Sequence, residues 1–332
     1  MREDGLVTDG PVTDDPAAEP PLSSTRTPAS EAPTPSAPPR PPEAPAAALP
    51  PLPGRRTRLI ATDLDGTLLR DDKTVSERTI AALAAAEEAG IEVFFVTGRP
   101  ARWMDVVSDH VHGHGLAICA NGAAVVDLHR SGRIVEVRAL ERTAALAVVE
   151  ALRAAAPGTS FAVERTGGIH YEPQYPPFHL DPGALIAPVE KLLGEEAEKA
   201  GEPVLKVLAH HADLDPDAFL ALAREAAGHL ASFTRSSPTA LLEISGAGVS
   251  KAGTLARCCA ERGIAPDEVV AFGDMPNDIE MLAWAGTSYA MANAHPDVLA
   301  ATDHRTAGNN EDGVALVIER MIEQLLQDRT HD

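Results

Sequence analysis

Arg58-Leu-Ile-Ala-Thr-Asp63-Leu-Asp65-Gly-Thr67-Leu-Leu69 decides how the rest of the chain is read. Leu59, Ile60 and Ala61 form a short apolar run of the kind that makes a buried strand. The run stops at Asp63, and Asp65 follows two residues later. Residues i and i+2 of an extended backbone point to the same side, so both carboxylates are expected to project from the end of a strand into one small space. Gly66 permits a sharp turn and Thr67 can tie it down. Taken alone, the same stretch also reads as a strand ending in a polar loop with an Asx turn. Three later motifs decide between the two readings.

Outward from this strand, apolar runs and helical stretches alternate. Ser76 is placed to cap a helix running to Ala89, and Gly90 to end it. Ile91–Val96 is the next strand, with Thr97-Gly98-Arg99 at its end and Pro100 opening a helix to about Val111. Leu116–Ala120 is a third strand, followed by Asn121-Gly122. This alternation predicts an α/β fold with a Rossmann-like, doubly wound parallel sheet. From Ala123 the pattern changes. A hairpin (Ala123–Asp127 and Arg133–Val137) leads into helices near 141–155, 183–194 and 214–227. Strands are expected at 160–165, 203–209, 231–235 and 240–245. The mixture predicts an inserted α+β module over 123–245, within a core made of 57–122 and 246–332. The core pattern resumes with a helix from Ser250 to Arg262 and a strand Glu268–Gly273 ending in Asp274. A helix from Asn277 to Trp284, a short strand Ser288–Met291 and a final helix Asp312–Leu326 complete it.

Composition bounds the function. The chain has 332 residues, 44% of them hydrophobic and 4% aromatic, so its cores are expected to be aliphatic. A net charge of −21 argues against nucleic acid and anionic membrane as partners. An anionic substrate then needs local positive charge, for example a lysine together with a metal. The three cysteines, Cys119, Cys258 and Cys259, form no disulfide framework. No apolar run reaches transmembrane length and no signal-peptide core follows Met1, so a cytoplasmic protein is expected. Residues 1–56 hold 15 of the 28 prolines and are expected to be a disordered tail.

Four motifs carry chemistry. In Asp63-Leu-Asp-Gly-Thr67, one carboxylate can attack phosphorus while the second serves as acid and then base. Thr97-Gly98 offers a hydroxyl and backbone N–H groups to anionic oxygens. Lys251 in Gly248-Val-Ser-Lys251 opens a helix, where an ammonium beside a positive helix end suits a phosphoryl group. Gly273-Asp274-Met-Pro-Asn277-Asp278 again sets acids at a strand end, with Asn277 and Asp278 placed to face Asp274. An N-capping box is the plainer reading of that last motif. Hard oxygen ligands fit Mg²⁺ rather than Zn²⁺.

In this order and spacing, the four motifs resemble the haloacid dehalogenase (HAD) superfamily of phosphatases. The long insert resembles the C2-type cap. Asn121-Gly122-Ala123, Leu242-Glu-Ile-Ser and Val249-Ser-Lys251 resemble the Cof-type subfamily. The resemblance spans about residues 57–327; Ala252, where Gly is common, and the Pro-rich tail depart from it. It implies that Asp63 is the nucleophile and a Mg²⁺ ligand, that Asp65 is the general acid/base and binds the metal through its carbonyl, and that Asp274 is the third protein ligand. Leu64 (through its N–H), Thr97, Gly98, Lys251 and Asn277 are implied to hold the phosphoryl oxygens, and Asp278 to orient Lys251 or the metal's water. The expected function is a Mg²⁺-dependent phosphatase for a small phosphorylated metabolite, working through an aspartyl phosphate. A phosphomannomutase-like transfer within a sugar phosphate and a non-catalytic phosphometabolite-binding module are the alternatives. On the insert, His170, Tyr171, His179 and His210 are candidate substrate contacts.

Overall fold

The computed structural model describes residues 57–108, 115–130, 132–176, 181–196, 202–236 and 239–331. The expected tail and His179 lie outside the described residues. Two sheets organise the described residues. The larger has the strand order β13-β12-β11-β1-β2-β3-β4-β5. Its members are β1 (Leu59–Thr62), β2 (Glu92–Val96), β3 (Leu116–Cys119), β4 (Ala124–Asp127), β5 (Arg133–Val137), β11 (Val269–Gly273), β12 (Thr287–Ala290) and β13 (His304–Arg305). From β13 to β3 every pairing is parallel. Parallel sheets are covered on both faces, which is why β1, β3 and β11 are buried at every position and read as unbroken apolar runs.

The position of β1 matters most. It lies between β2 and β11, in register with both: Thr62 pairs with Phe95 on one side and Phe272 on the other. The chain winds outward from β1 in one direction through β2 and β3, and returns to its other side at β11. Such a switch point opens a crevice beyond the carboxyl ends of the strands. The end of β1 carries Asp63, the end of β2 carries Thr97 and the end of β11 carries Asp274.

Local signals place the helices. Ser76 accepts the Thr79 N–H at 3.0 Å at the start of Glu77–Glu88, and Gly90 follows that helix with φ +82°. Ser250 caps Lys251–Glu261 through the Gly253 N–H at 3.1 Å. Asp215 caps Pro216–Ala227, whose proline occupies the first turn, where no N–H is needed.

The second sheet, ordered β7-β6-β8-β10-β9, is wholly antiparallel. It comprises β6 (Ser160–Arg165), β7 (Ile169–Tyr171), β8 (Val204–His210), β9 (Ala231–Thr234) and β10 (Leu241–Gly246). Helices Arg142–Ala155 and Pro216–Ala227 bury Val148, Leu152 and Phe219 in its core.

Three expectations are corrected. The hairpin over 123–137 belongs to the first sheet and not to the insert: β4 pairs with β3, Ile118 opposite Val125. Ala120, Asn121 and Gly122 all have positive φ (50°, 55° and 102°), a left-handed turn that reverses the chain on the spot and lays the next strand against the last. The helix expected over 183–194 is only Val189–Leu192, because Pro188 holds Ala187 out of helical backbone. The helix expected after Pro100 opens instead as a 3₁₀ turn, Ala101–Trp103, followed by helix Asp105–Ser108; its expected end at Val111 lies outside the described residues.

Candidate active site

Asp63 is tied to the sheet by its N–H, which donates to the Phe272 carbonyl at 3.1 Å. The chain then turns tightly: the Leu64 carbonyl accepts from Thr67 N (3.2 Å) and Leu69 N (2.8 Å). Gly66 has φ +78°, and a Cβ there would meet Asp274 Oδ2 at 2.3 Å. Asn293 Nδ2 donates to the Gly66 carbonyl at 2.8 Å, and Thr67 Oγ1 donates to Asp274 Oδ1 at 2.9 Å. The turn after β1 is thereby fastened to the end of β11.

Lys251 is not a solvated helix-start lysine. It is 2% exposed, and its Nζ lies 2.5 Å from Asp63 Oδ1 and 2.7 Å from Asp278 Oδ1. The other Asp278 oxygen accepts the N–H groups of Asp274 and Met275, each at 3.0 Å. A side chain at Gly273 would collide with Asp278 Cβ at 2.6 Å, so glycine is required for that approach. Asp278 thus aims the ammonium and caps the turn at once; the capping reading of the motif is true and incomplete.

Asp63, Asp274 and Asp278 bring carboxylate oxygens within 4.8 Å of one another. All three are buried, with one ammonium among them. Burial pushes Asp63 well above the usual carboxylate range; Lys251 opposes this, while Asp278 and Asp274 add to it. Burial and the Asp278 charge push Asp274 up to about 7 against the bond from Thr67. A pocket of oxygen donors carrying more negative charge than its lysine offsets fits a hard divalent cation. With both Asp278 oxygens already engaged, Asp63 and Asp274 are the carboxylates with room for it.

Asp65 faces a different group of partners. Arg99 donates from Nε to Oδ2 (2.6 Å) and from Nη2 to Oδ1 (2.7 Å), and Lys73 Nζ donates to Oδ1 at 2.9 Å. Burial pushes this carboxyl up, but the bonds and charges of Arg99 and Lys73 outweigh it and hold Asp65 below its ordinary value.

A cavity of about 1090 Å³ opens over these groups. Asp63, Asp65, Thr97, Gly98, Lys251 and Asn277 all line it, so residues far apart in the chain meet as expected. Another part of its lining comes from the second sheet, through Tyr171, Leu208 and Leu241, and from Tyr175 in the turn after β7. Of the candidates on the insert, Tyr171 lines the cavity. His170 instead accepts from Leu185 N at 3.0 Å, and His210 sets its ring edge against Tyr175. Sequence reading gave no role to Arg99, Lys73, Lys206 or Glu243. Lys206 and Glu243 had a signal: each is a charge inside an otherwise apolar strand, and both are buried.

The model of the haloacid dehalogenase-like hydrolases matches residues 60–318. This chain belongs to that family. It is 30% identical to the 5-amino-6-(5-phospho-D-ribitylamino)uracil phosphatase YitU of Bacillus subtilis, over 77% of this chain and 94% of that one. It is 31% identical to the pyridoxal phosphate phosphatase YbhA of Escherichia coli, over 79% and 97%. The fold matches the crystal structure of a haloacid dehalogenase-like hydrolase from Bacteroides thetaiotaomicron with a TM-score of 0.62 and 27% identity, covering 80% of this chain and all of that one. The chain is a phosphoric monoester hydrolase of Cof type. Among the described residues no helix is long and apolar enough to cross a membrane.

Proposed function

We propose that this hydrolase removes phosphate from a small cytoplasmic metabolite through an aspartyl phosphate on Asp63. The observation that carries the reading is the buried Asp63 carboxylate, which faces the cavity with Lys251 Nζ 2.5 Å away and Thr97, Gly98 and Asn277 around it. An Asp63 oxygen attacks phosphorus in line; the ester P–O bond breaks and Asp65 gives its proton to the departing oxygen. Asp65 then takes a proton from water as that water attacks the aspartyl phosphate, releasing inorganic phosphate and restoring Asp63. Lys251 holds phosphoryl oxygens together with Thr97, Asn277 and the N–H groups of Leu64 and Gly98, and Asp278 holds Lys251. Asp63, Asp274 and the Asp65 carbonyl are the groups that would hold Mg²⁺, which when bound offsets the charge of phosphate and carboxylates.

The second sheet serves as the C2-type cap and sets specificity. Tyr171 and Tyr175, with ring centroids 5.8 Å apart, supply an aromatic wall to a cavity far larger than a phosphate needs. Relatives named for a phosphoribitylamino-uracil and for pyridoxal phosphate support a substrate that carries a planar heterocycle as well as its phosphate ester. Purified protein with Mg²⁺ and a panel of such esters tests this. Turnover of heterocyclic esters above sugar phosphates, with acid-stable phosphate retained on protein when Asp65→Asn is quenched on an aryl phosphate, is expected. Loss of that label should follow Asp63→Asn, and label surviving Asp63→Asn would overturn the assignment.

A further inference from the structure

A buried ion pair on the second sheet reaches into the phosphate end of the site. Lys206 Nζ (β8) donates to the Glu243 carboxylate (β10) and, at 2.8 Å, to the Gly98 carbonyl of the first sheet's loop. Both side chains are 6% exposed. Glu243 also accepts from Ser236 Oγ and, at 2.9 Å, from Asn121 Nδ2. Asn121 Oδ1 in turn accepts from Asn277 Nδ2 at 3.2 Å. The other Asn277 amide atom, Oδ1, is buried and has no hydrogen-bond partner among the described residues.

The direction of this chain is set at one end. An ionised carboxylate only accepts hydrogen bonds. Burial alone would raise the Glu243 carboxyl, but the Lys206 charge and its bond, with that from Ser236, hold it below its ordinary value and therefore ionised. Asn121 must consequently turn its NH₂ toward Glu243 and its oxygen toward Asn277. Asn277 must then turn its NH₂ toward Asn121, which leaves its second amide hydrogen for a ligand in the cavity that Glu243 and Asn277 both line. Asn121 suits the relay post: it sits at φ 55°, a conformation that asparagine tolerates better than most residues, and a Cβ on Gly98 would lie 3.3 Å from its Oδ1.

We propose that Lys206 and Glu243 are positioning residues: they fix the hydrogen-bond polarity of Asn121 and Asn277, so that Asn277 presents an N–H donor to the substrate's phosphoryl group. The proposal rests on the phosphatase reading. It assigns to the second sheet a role in holding phosphate, separate from its contact with the leaving group.

A double-mutant cycle with Glu243→Gln and Asn277→Ala tests it, read as the Kd of inorganic phosphate by calorimetry on the Mg²⁺-loaded protein. Glu243→Gln keeps the shape but can donate as well as accept, so polarity is lost. Phosphate binding should weaken about tenfold in either single variant, and the double variant should fall short of the product of the two losses by about three- to tenfold. The kcat/KM of Glu243→Gln should fall by one common factor for p-nitrophenyl phosphate and for larger esters. Asn121→Gly, which suits the positive φ, cuts the relay within the first sheet and should make Glu243→Gln silent toward phosphate. Strictly multiplicative losses, or a Glu243→Gln defect confined to larger esters with phosphate affinity unchanged, would overturn the relay. Because phosphate binding needs no turnover, an unaltered protein that hydrolysed no ester would overturn the phosphatase reading while the cycle still judged the relay.

Discussion

Arg99 closes a two-pronged fork on Asp65, with Nε 2.6 Å from one carboxylate oxygen and Nη2 2.7 Å from the other. A planar guanidinium matched to a carboxylate in this way favours the ionised form. That form is suited to take a proton from water and unsuited to protonate a leaving group. Arg99 therefore biases Asp65 toward one of the two duties assigned to it.

Arg99→Met should shift that balance. Loss of the fork raises the Asp65 pKa, because the bonds that favoured the anion are gone while burial, which disfavours it, remains. The acid form then persists to higher pH, so the alkaline limb of kcat/KM for alkyl phosphates should move upward. A pH–rate profile on an alkyl ester checks this; an unmoved or lowered limb would contradict the fork's role.

Lys251→Met leaves Asp63 and Asp278 without their ammonium in a buried site. Removing one partner of a buried charge network typically costs about 3–5 kcal/mol. Denaturant melts in the presence of a chelator should show a loss of that order, partly recovered by Mg²⁺. An unchanged midpoint would mean that the lysine is not the counter-ion of the cluster.

Metal affinity should depend on pH. Asp274, pushed up to about 7, is protonated below that pH, and a cation must displace the proton. The apparent Mg²⁺ affinity should therefore fall by up to about tenfold per pH unit below 7 and level off above it. Asp274→Ala should bind Mg²⁺ weakly at every pH. Titrations at several pH values decide, and wild-type affinity in Asp274→Ala would remove this residue from the ligand set.

Gly66→Ala places a Cβ 2.3 Å from Asp274 Oδ2 on a backbone with φ +78°. Strain and displacement of Asp274 should together cost more than about 1 kcal/mol of stability and most of the activity. A variant with wild-type melting and Mg²⁺ dependence would show that the turn is not held against Asp274.

By itself, the sequence determined the parallel core, the four loops that meet and the two Asp-rich motifs. Those features are local: apolar runs such as Leu59–Ala61 become strands, their polar ends become strand-end loops, and a doubly wound order brings such ends together. Tertiary structure alone decided the rest. The reversal at Ala120–Gly122 depends on three consecutive left-handed residues, only one of them glycine, and it moves the 123–137 hairpin into the first sheet. The fork on Asp65 and the Lys206–Glu243 pair join residues 34 and 37 positions apart. Whether such charges meet or face water depends on which strands lie side by side: the pairing of β1 with β2 settles it for the fork, and that of β8 with β10 for the lysine–glutamate pair.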